Sequence, residues 1–119
     1  GRKGSYFIMS RRLEKVAAVL QQHAATVIAR EYSVSGTAAS VVSVDVSPDL
    51  KNATVWVSIY GKGSDELKAR IEASAAGLIA RSILHTASLR SVPKIKLNFD
   101  HSAEHAEKIA RILSNLKND

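Results

Sequence analysis

The sequence predicts a single α+β domain in which a three-stranded sheet carries helices on one face. Two periodicities and the length of the chain indicate this fold class. Apolar residues recur every three or four positions, the helical period, in residues 10–31, 64–89 and 102–116. They alternate with polar residues, the strand period, in residues 42–46, 53–60 and 94–99. A chain of 119 residues is sufficient for one domain.

Composition excludes several classes of protein. The chain contains no Cys, so a disulfide framework, an iron–sulfur cluster and a thiolate zinc site are excluded. No apolar run approaches the length of about 18 residues that suggests a membrane span. The net charge is +6 and the pI about 9.8, which favours a polyanionic partner.

The first predicted helix runs from Ser10 to Glu31. One stripe of this segment is apolar: Leu13, Val16, Ala17, Leu20, Ala24, Val27 and Ile28. Residues 1–9 show neither period, and we expect a flexible arm or a cloning remnant ahead of a domain at 10–117. Residues 33–40, which include Gly36, are predicted to form a loop.

A β-hairpin is predicted to follow this loop. Val42, Val44 and Val46 alternate with polar residues, and Ser47-Pro48-Asp49 is typical of a turn. The second strand, Ala53–Tyr60, should pair antiparallel with the first because the connection is short.

The second helical segment, residues 64–89, is interrupted at Ala75-Ala76-Gly77. Because Gly inside a helix costs about 1 kcal/mol relative to Ala, this site predicts either a kink or a close approach. Ser91-Val92-Pro93 ends the helical pattern. A third strand, Lys94–Phe99, and a final helix, Ser102–Leu116, complete the order of elements.

The basic residues fall into two blocks. Residues 1–30 contain six basic residues and one acidic residue, and residues 81–99 contain four basic residues and no acidic one. The sequence between them has a net charge of −2. This distribution favours a localised electrostatic interface over a uniformly solvated surface.

Motifs for catalysis and metal binding are weak. No GxSxG elbow is present, and Gly61-Lys62-Gly63-Ser64 is too short for a phosphate-binding loop. His101 and His105 are spaced to grip one metal ion, yet the remaining ligands of a zinc site are lacking. We therefore expect no catalytic residue, no metal site and no cofactor, and interpret both histidines as solvated residues at a helix start.

The aromatic residues of the second strand allow two interpretations. Trp56 and Tyr60 alternate away from its valines, and on an open sheet face they would stack nucleic-acid bases. The same side chains could instead pack beneath a helix or loop. Lys94 and Lys96 on the outer face of the third strand could bind phosphates or simply discourage aggregation of that strand.

The order α-β-β-α-α-β resembles a KH-type module, in which a GxxG loop between two helices approaches nucleic acid. Here Ala75-Ala76-Gly77 stands in place of GxxG, and this Ala-x-Gly kink is similar to that of the ribosome-binding factor A family. The resemblance extends over about residues 10–116. It rests also on Val46–Leu50, on the stretch Leu89–Asp100, and on the opening and closing helices.

This resemblance implies a single KH-like domain and a non-enzymatic assembly factor. Such a factor would bind the small (30S) ribosomal subunit in the cytoplasm, assist late maturation of 16S rRNA and support growth in the cold. It implies no membrane or small-molecule partner, and we expect a monomer. Together with the charge distribution, it predicts phosphate contacts by seven residues: Arg11, Arg12, Lys15, Arg81, Arg90, Lys94 and Lys96.

A general single-stranded RNA- or DNA-binding module is the alternative. It would use Trp56 and Tyr60 as its stacking surface.

Overall fold

The computed structural model describes residues 2–86 and 88–100, with side chains from residue 11 onward. It confirms an α+β fold with a three-stranded sheet. The elements are α1 (Arg2–Glu31), β1 (Thr37–Val46), β2 (Asn52–Gly61), α2 (Ser64–His85) and β3 (Lys94–Phe99). The predicted closing helix, Ser102–Leu116, lies outside the described residues, as do His101 and His105.

The sheet has the order β1-β2-β3. β1 and β2 pair antiparallel, as their short connection predicted. β3 pairs parallel to β2, because α2 carries the chain back to the end of the sheet where β2 begins. Hydrogen bonds from Lys94 N to Lys51 O and from Asp100 N to Val57 O, both 2.8 Å, mark the two ends of this pairing.

β1 begins five residues before the predicted strand. Its added residues, such as Ala38 and Ser40, are small and carry little hydrophobic signal. The register shifts between Val41 and Ser43, and this bulge reverses the face on which the following side chains lie. Val42 is consequently 47% exposed, so the prediction that it shares a buried face with Val44 and Val46 is wrong.

α1 begins at Arg2, eight residues before the start predicted from periodicity. Residues 2–9, predicted as an arm, are helical. Helical structure continues through them although the apolar stripe does not, since this segment contains no Pro and only one Gly after residue 1.

Both helices pack on the same face of the sheet. The buried face of β2 presents Ala53, Val55, Val57 and Ile59, whose side chains are at most 6% exposed. Leu20, Ala24, Val27 and Ile28 of α1 join the same core, together with Leu67, Ile71, Ala75, Ile79 and Ile83 of α2. The opposite face of the sheet carries the alternate side chains of the strands.

α2 is one continuous helix through Ala75-Ala76-Gly77, not two helical segments. Ile71, Ala75 and Ile79 repeat at four-residue spacing and are completely buried, so the packed stripe does not break at the interruption. Burial of each large side chain stabilises the fold by about 1.5–3 kcal/mol. This gain outweighs the cost of one Gly in the helix, roughly 1 kcal/mol.

The turn between β1 and β2 is held by side chains as well as backbone. Asp49 Oδ1 accepts hydrogen bonds from Ser47 Oγ at 2.6 Å and from Lys51 N at 3.0 Å. These hydrogen bonds lower the pKa of Asp49 because they favour its ionised form, and the bond from Ser47 has the largest effect.

Two glycines at the other end of the hairpin provide a test of the fold. Gly36 and Gly61 both have positive φ, but only at Gly61 would a Cβ collide with backbone, that of Gly36. We expect Gly61→Ala to lower the free energy of unfolding by about 2–4 kcal/mol, through both strain and collision. Gly36→Ala, which adds backbone strain without a collision, should lower the free energy of unfolding by about 1–2 kcal/mol. Urea denaturation measures both variants. Equal losses in the two variants would contradict the close approach.

Candidate nucleic-acid interface

All seven side chains predicted to contact phosphate are exposed. Three lie on α1, one on α2, one on the connection from α2 to β3, and two on β3: Arg11, Arg12, Lys15, Arg81, Arg90, Lys94 and Lys96. Exposure leaves a guanidinium or ammonium group accessible to a ligand at little desolvation cost. Exposure is therefore a necessary property of residues in an electrostatic interface, and all seven side chains have it.

Two hydrogen bonds fix how α1 lies against α2. Tyr32 OH bonds to Ser74 Oγ at 2.5 Å, and His23 Nδ1 bonds to Ser82 Oγ at 2.8 Å. Because residue numbers fall along one helix as they rise along the other, the helices are antiparallel. The part of α1 that precedes His23, including Arg11, Arg12 and Lys15, therefore extends past the carboxyl end of α2.

His23 also holds the connection that follows α2. Its Nε2 lies 3.3 Å from Ser88 Oγ, two residues before Arg90. Hydroxyl groups can donate or accept, so the two serines satisfy the imidazole in either protonation state. His23 thus joins α1, the end of α2 and the connection, and it places Arg90 at the same end of the helical layer as the α1 cations. Sequence reasoning missed this role, because no pattern relates His23 to two serines about 60 residues later.

Charge is separated along α2 and β3. The acidic residues of α2, Asp65, Glu66 and Glu72, are confined to its first half, which also contains Lys68 and Arg70. Arg81 and His85 lie near its end, where no acidic residue accompanies them. Cations are favoured at the carboxyl end of a helix, where the backbone dipole is negative. From residue 73 to residue 99 the chain carries no acidic side chain, so Arg81, Arg90, Lys94 and Lys96 form one uninterrupted basic stretch, which we call the basic segment.

Two grooves flank α2. The groove towards β3 has a volume of about 490 Å³ and is lined in part by Ala76, Lys94 and Lys96. The groove towards α1, of about 500 Å³, is lined in part by Arg30 and Arg81. Arg30 Nε lies 3.7 Å from Glu31 Oε1, an exposed pair that solvent screens. Arg81 thus lies at the groove towards α1, whereas the strand that carries Lys94 and Lys96 borders the other groove together with the acidic Glu72 of α2.

The three residues of the predicted kink have different environments. Ala75 is completely buried, Ala76 is half-buried at the β3 groove, and Gly77 is exposed. A Cβ built on Gly77 would have no atom within 4 Å. Close packing inside the described part of the chain therefore does not explain Gly77.

The absence of a side chain at Gly77 leaves a low helix surface beside Arg81. The neighbouring positions one turn away, Ala73, Ser74 and Ala80, also carry short side chains. An external backbone could consequently approach α2 closely here, next to a cation. Arg and Lys side chains are among the groups that commonly contact phosphate oxygens.

Trp56 and Tyr60 lie on the face of the sheet opposite the helices. Trp56 is half-buried and donates a hydrogen bond from Nε1 to Asp45 Oδ2 at 3.0 Å, whereas Tyr60 is 44% exposed. In the register of the sheet Trp56 lies opposite Asn98 of β3, and Thr54 lies opposite Lys96. The aromatic residues therefore share a face with the two lysines. Asp45 was not expected from the sequence, because only the pairing of β1 with β2 brings it to the indole.

Other kinds of site were also sought in residues 2–86 and 88–100. Within these ranges no group of three or more His, Asp or Glu side chains could hold a metal ion. Neither described helix is both long enough and apolar enough to cross a membrane.

Comparison with solved structures supports the architecture. The crystal structure of ribosome-binding factor A from Thermus thermophilus superposes with a TM-score of 0.53 at 20% identity, covering 72% of this chain and 93% of that one. A homology model of the Thermus thermophilus factor, fitted into a cryo-EM map of its complex with the 30S subunit, gives 0.54 at 19% identity. It covers 73% of this chain and 93% of that one. At this identity the likeness establishes the fold alone.

Sequence comparison establishes the family. A ribosome-binding factor A of Thermomicrobium roseum is 38% identical over 113 residues, covering 92% of this chain and 87% of the relative. That of Akkermansia muciniphila is 32% identical over 108 residues, covering 91% and 86%. The family model for ribosome-binding factor A matches residues 12–113. With most of its length matched in both comparisons, this chain belongs to the ribosome-binding factor A family.

Proposed function

We propose that this protein binds the small ribosomal subunit through its 16S rRNA and assists late maturation of that RNA. The observation that carries the proposal is the exposed basic segment, present in a member of a ribosome-binding family. A fold neighbour placed in a 30S complex supports the choice of partner. The expected site of action is the cytoplasm, where bacterial subunits assemble, and a role in growth in the cold belongs to the same proposal.

The proposed mechanism is binding without bond-making chemistry. A non-enzymatic binder changes the conformation of RNA only by its differential affinity for two states. We propose that the mature-like arrangement of the rRNA presents more phosphates to the basic segment than the immature arrangement, and so is favoured.

A general single-stranded RNA- or DNA-binding module is the second candidate. It is favoured by the position of Trp56 and Tyr60 on the sheet face that carries Lys94 and Lys96. Such a module would bind unrelated oligonucleotides about as tightly as it binds ribosomal subunits. Parallel titrations of purified small subunits and of unrelated single strands separate the two functions.

Cosedimentation with immature small subunits tests the proposal directly. We expect the protein, as a monomer, to sediment with small subunits at low salt and to be released as salt rises, because phosphate contacts release counterions. Sedimentation velocity of the free protein checks the monomer. No association at low salt would contradict the proposed function.

Replacing the cations of the basic segment should weaken this association in a characteristic way. The triple variant Arg90→Ala, Lys94→Ala, Lys96→Ala should bind more weakly, and the log–log salt slope should flatten by about one unit for each lost phosphate contact. Lys62→Ala is the control for loss of an exposed lysine, since Lys62 is exposed but lies outside the basic segment, and it should leave binding unchanged. Unchanged binding by a folded triple variant would show that another surface contacts the subunit.

Gly77→Ala should separate stability from binding. In an exposed helical position with free space, Ala should raise the free energy of unfolding by up to about 1 kcal/mol relative to Gly. If RNA backbone approaches α2 at this point, the added methyl group should nevertheless weaken subunit binding. Ala73→Gly, one turn earlier and also exposed, is the reverse control: it should cost stability without adding bulk. Tighter or unchanged binding by Gly77→Ala would contradict a close approach.

A further inference from the structure

We propose that the sheet face opposite α1 and α2 binds an unpaired RNA base, which stacks on Trp56 while Lys94 and Lys96 hold its flanking phosphates. The inference rests on the proposed function for the class of ligand, RNA. It adds a second kind of contact to the basic segment, and it assigns a role to the aromatic residue of the central strand.

The surroundings of Trp56 leave part of its ring exposed. Its neighbours across the sheet are Ser43 of β1 and Asn98 of β3. Its neighbours on the same face of β2 are Thr54 and Ser58. All four are polar and much shorter than an indole ring. Ser43 is exposed, Thr54 and Asn98 are half-buried, and Ser58 is buried at 6% exposure, so the face is open towards Ser43 and closed beside Ser58. An aromatic ring that stands above short polar neighbours offers its π-surface to a base.

Asp45 fixes the ring before a ligand arrives. Its carboxylate accepts the indole N–H at 3.0 Å from the neighbouring strand, which ties the ring to β1 and occupies its one donor. What remains for a ligand is the face of the ring, a surface that suits stacking. A ring already held in place also loses little freedom on binding, which favours affinity.

Charge is distributed so that only one side of Trp56 attracts phosphate. Lys94 and Lys96 of β3 lie opposite Asn52 and Thr54 of β2. The two strands are one strand spacing apart, about 4.8 Å. Asp45 lies on the other side, on β1. An RNA strand is therefore attracted along β3 and repelled from β1, which directs its base inwards over β2. Asn98, directly opposite Trp56, has an amide that can donate to or accept from the edge of that base.

Tyr60 limits how many bases can stack. It lies four residues from Trp56 along β2, about 13 Å away, whereas stacked bases are about 3.4 Å apart. The two rings cannot belong to one stack of two neighbouring bases. The geometry therefore favours one base turned out of its helix over a continuous single strand, which distinguishes this site from the general module.

An aliphatic protein partner fits the face less well. Val42 is 47% exposed on β1, but Ser40, Ser43 and Asn98 surround the aromatic row with hydroxyl and amide groups. The cores of protein interfaces are depleted in charge, whereas two lysines border this face. RNA combines the π-surfaces and the negative charge that the face complements.

Fluorescence of Trp56, the one tryptophan of the sequence, provides the test. The full chain is titrated with a short single-stranded RNA and, separately, with a fully paired RNA hairpin at low salt. We expect saturable quenching by the single strand and little quenching by the duplex. Trp56→Ala should weaken binding of a labelled single strand by about 5- to 150-fold in anisotropy, the range for loss of one stacked base. Trp56→Phe, which keeps a ring, should lose much less.

Three further variants keep the proposal falsifiable. Lys96→Ala should weaken affinity but leave the quenching at saturation unchanged, because the base still stacks. Asp45→Asn keeps an acceptor for the indole and removes a negative charge, so binding should be equal or tighter. Val42→Ala, on the same face but away from β3, should change nothing. The quenching experiment uses the unaltered chain and so remains decisive if Trp56→Ala fails to fold.

The outcome is separable from that of the proposed function. Subunit cosedimentation with no quenching by single-stranded RNA would overturn the stacking site and leave the proposed function standing. The same conclusion would follow if Trp56→Ala bound the labelled strand as tightly as the unaltered chain, or if the duplex quenched equally. Quenching without subunit binding would retain the site and overturn the assembly function.

Discussion

The packing of α2 against the sheet and α1 determines where every candidate residue lies. Ile71, Ala75, Ile79 and Ile83 are completely buried and recur at four-residue spacing, so one side of α2 is committed to the core. Rotation of the helix would expose these side chains at a cost of about 1.5–3 kcal/mol for each large one. This constraint leaves Gly77 and Arg81 outside, and it places the carboxyl end of α2 against α1 so that Arg11, Arg12 and Lys15 extend past it.

Features that depend on neighbouring residues could be predicted from the sequence, whereas features that depend on contacts between elements could not. Alternation within β2 and β3 is local, and the strands were found within one residue of their bounds. β1 was shortened because Thr37, Ala38 and Ala39 are small, and Val42 was placed on the wrong face because a bulge is a property of two paired strands. The continuity of α2 was missed for a similar reason. The contacts that keep the helix intact past Gly77 are made by the buried side chains on its other face, and the cost of Gly alone does not reveal them.

The same distinction applies to the residues of the candidate site. Charge can be read from single residues, and each predicted cation is exposed as such side chains usually are. His23 and Asp45 act through partners on other elements, at Ser82, Ser88 and Trp56, and no spacing in the sequence relates them. Sequence therefore predicted which charged side chains are exposed, but not the hydrogen bonds that position their neighbours.

β3 connects the two proposed modes of contact. Its first residue follows the connection that carries Arg90, and its outward side chains, Lys94 and Lys96, share a face with Trp56. Phosphate contacts supply affinity and salt dependence but little information about sequence, whereas stacking selects a base that is free of its pair. A surface that joins the two would bind rRNA most tightly where a backbone lies beside an unpaired base. Because β3 is hydrogen-bonded to β2, the spacing between the lysines and the indole is fixed, and the RNA must adapt to it.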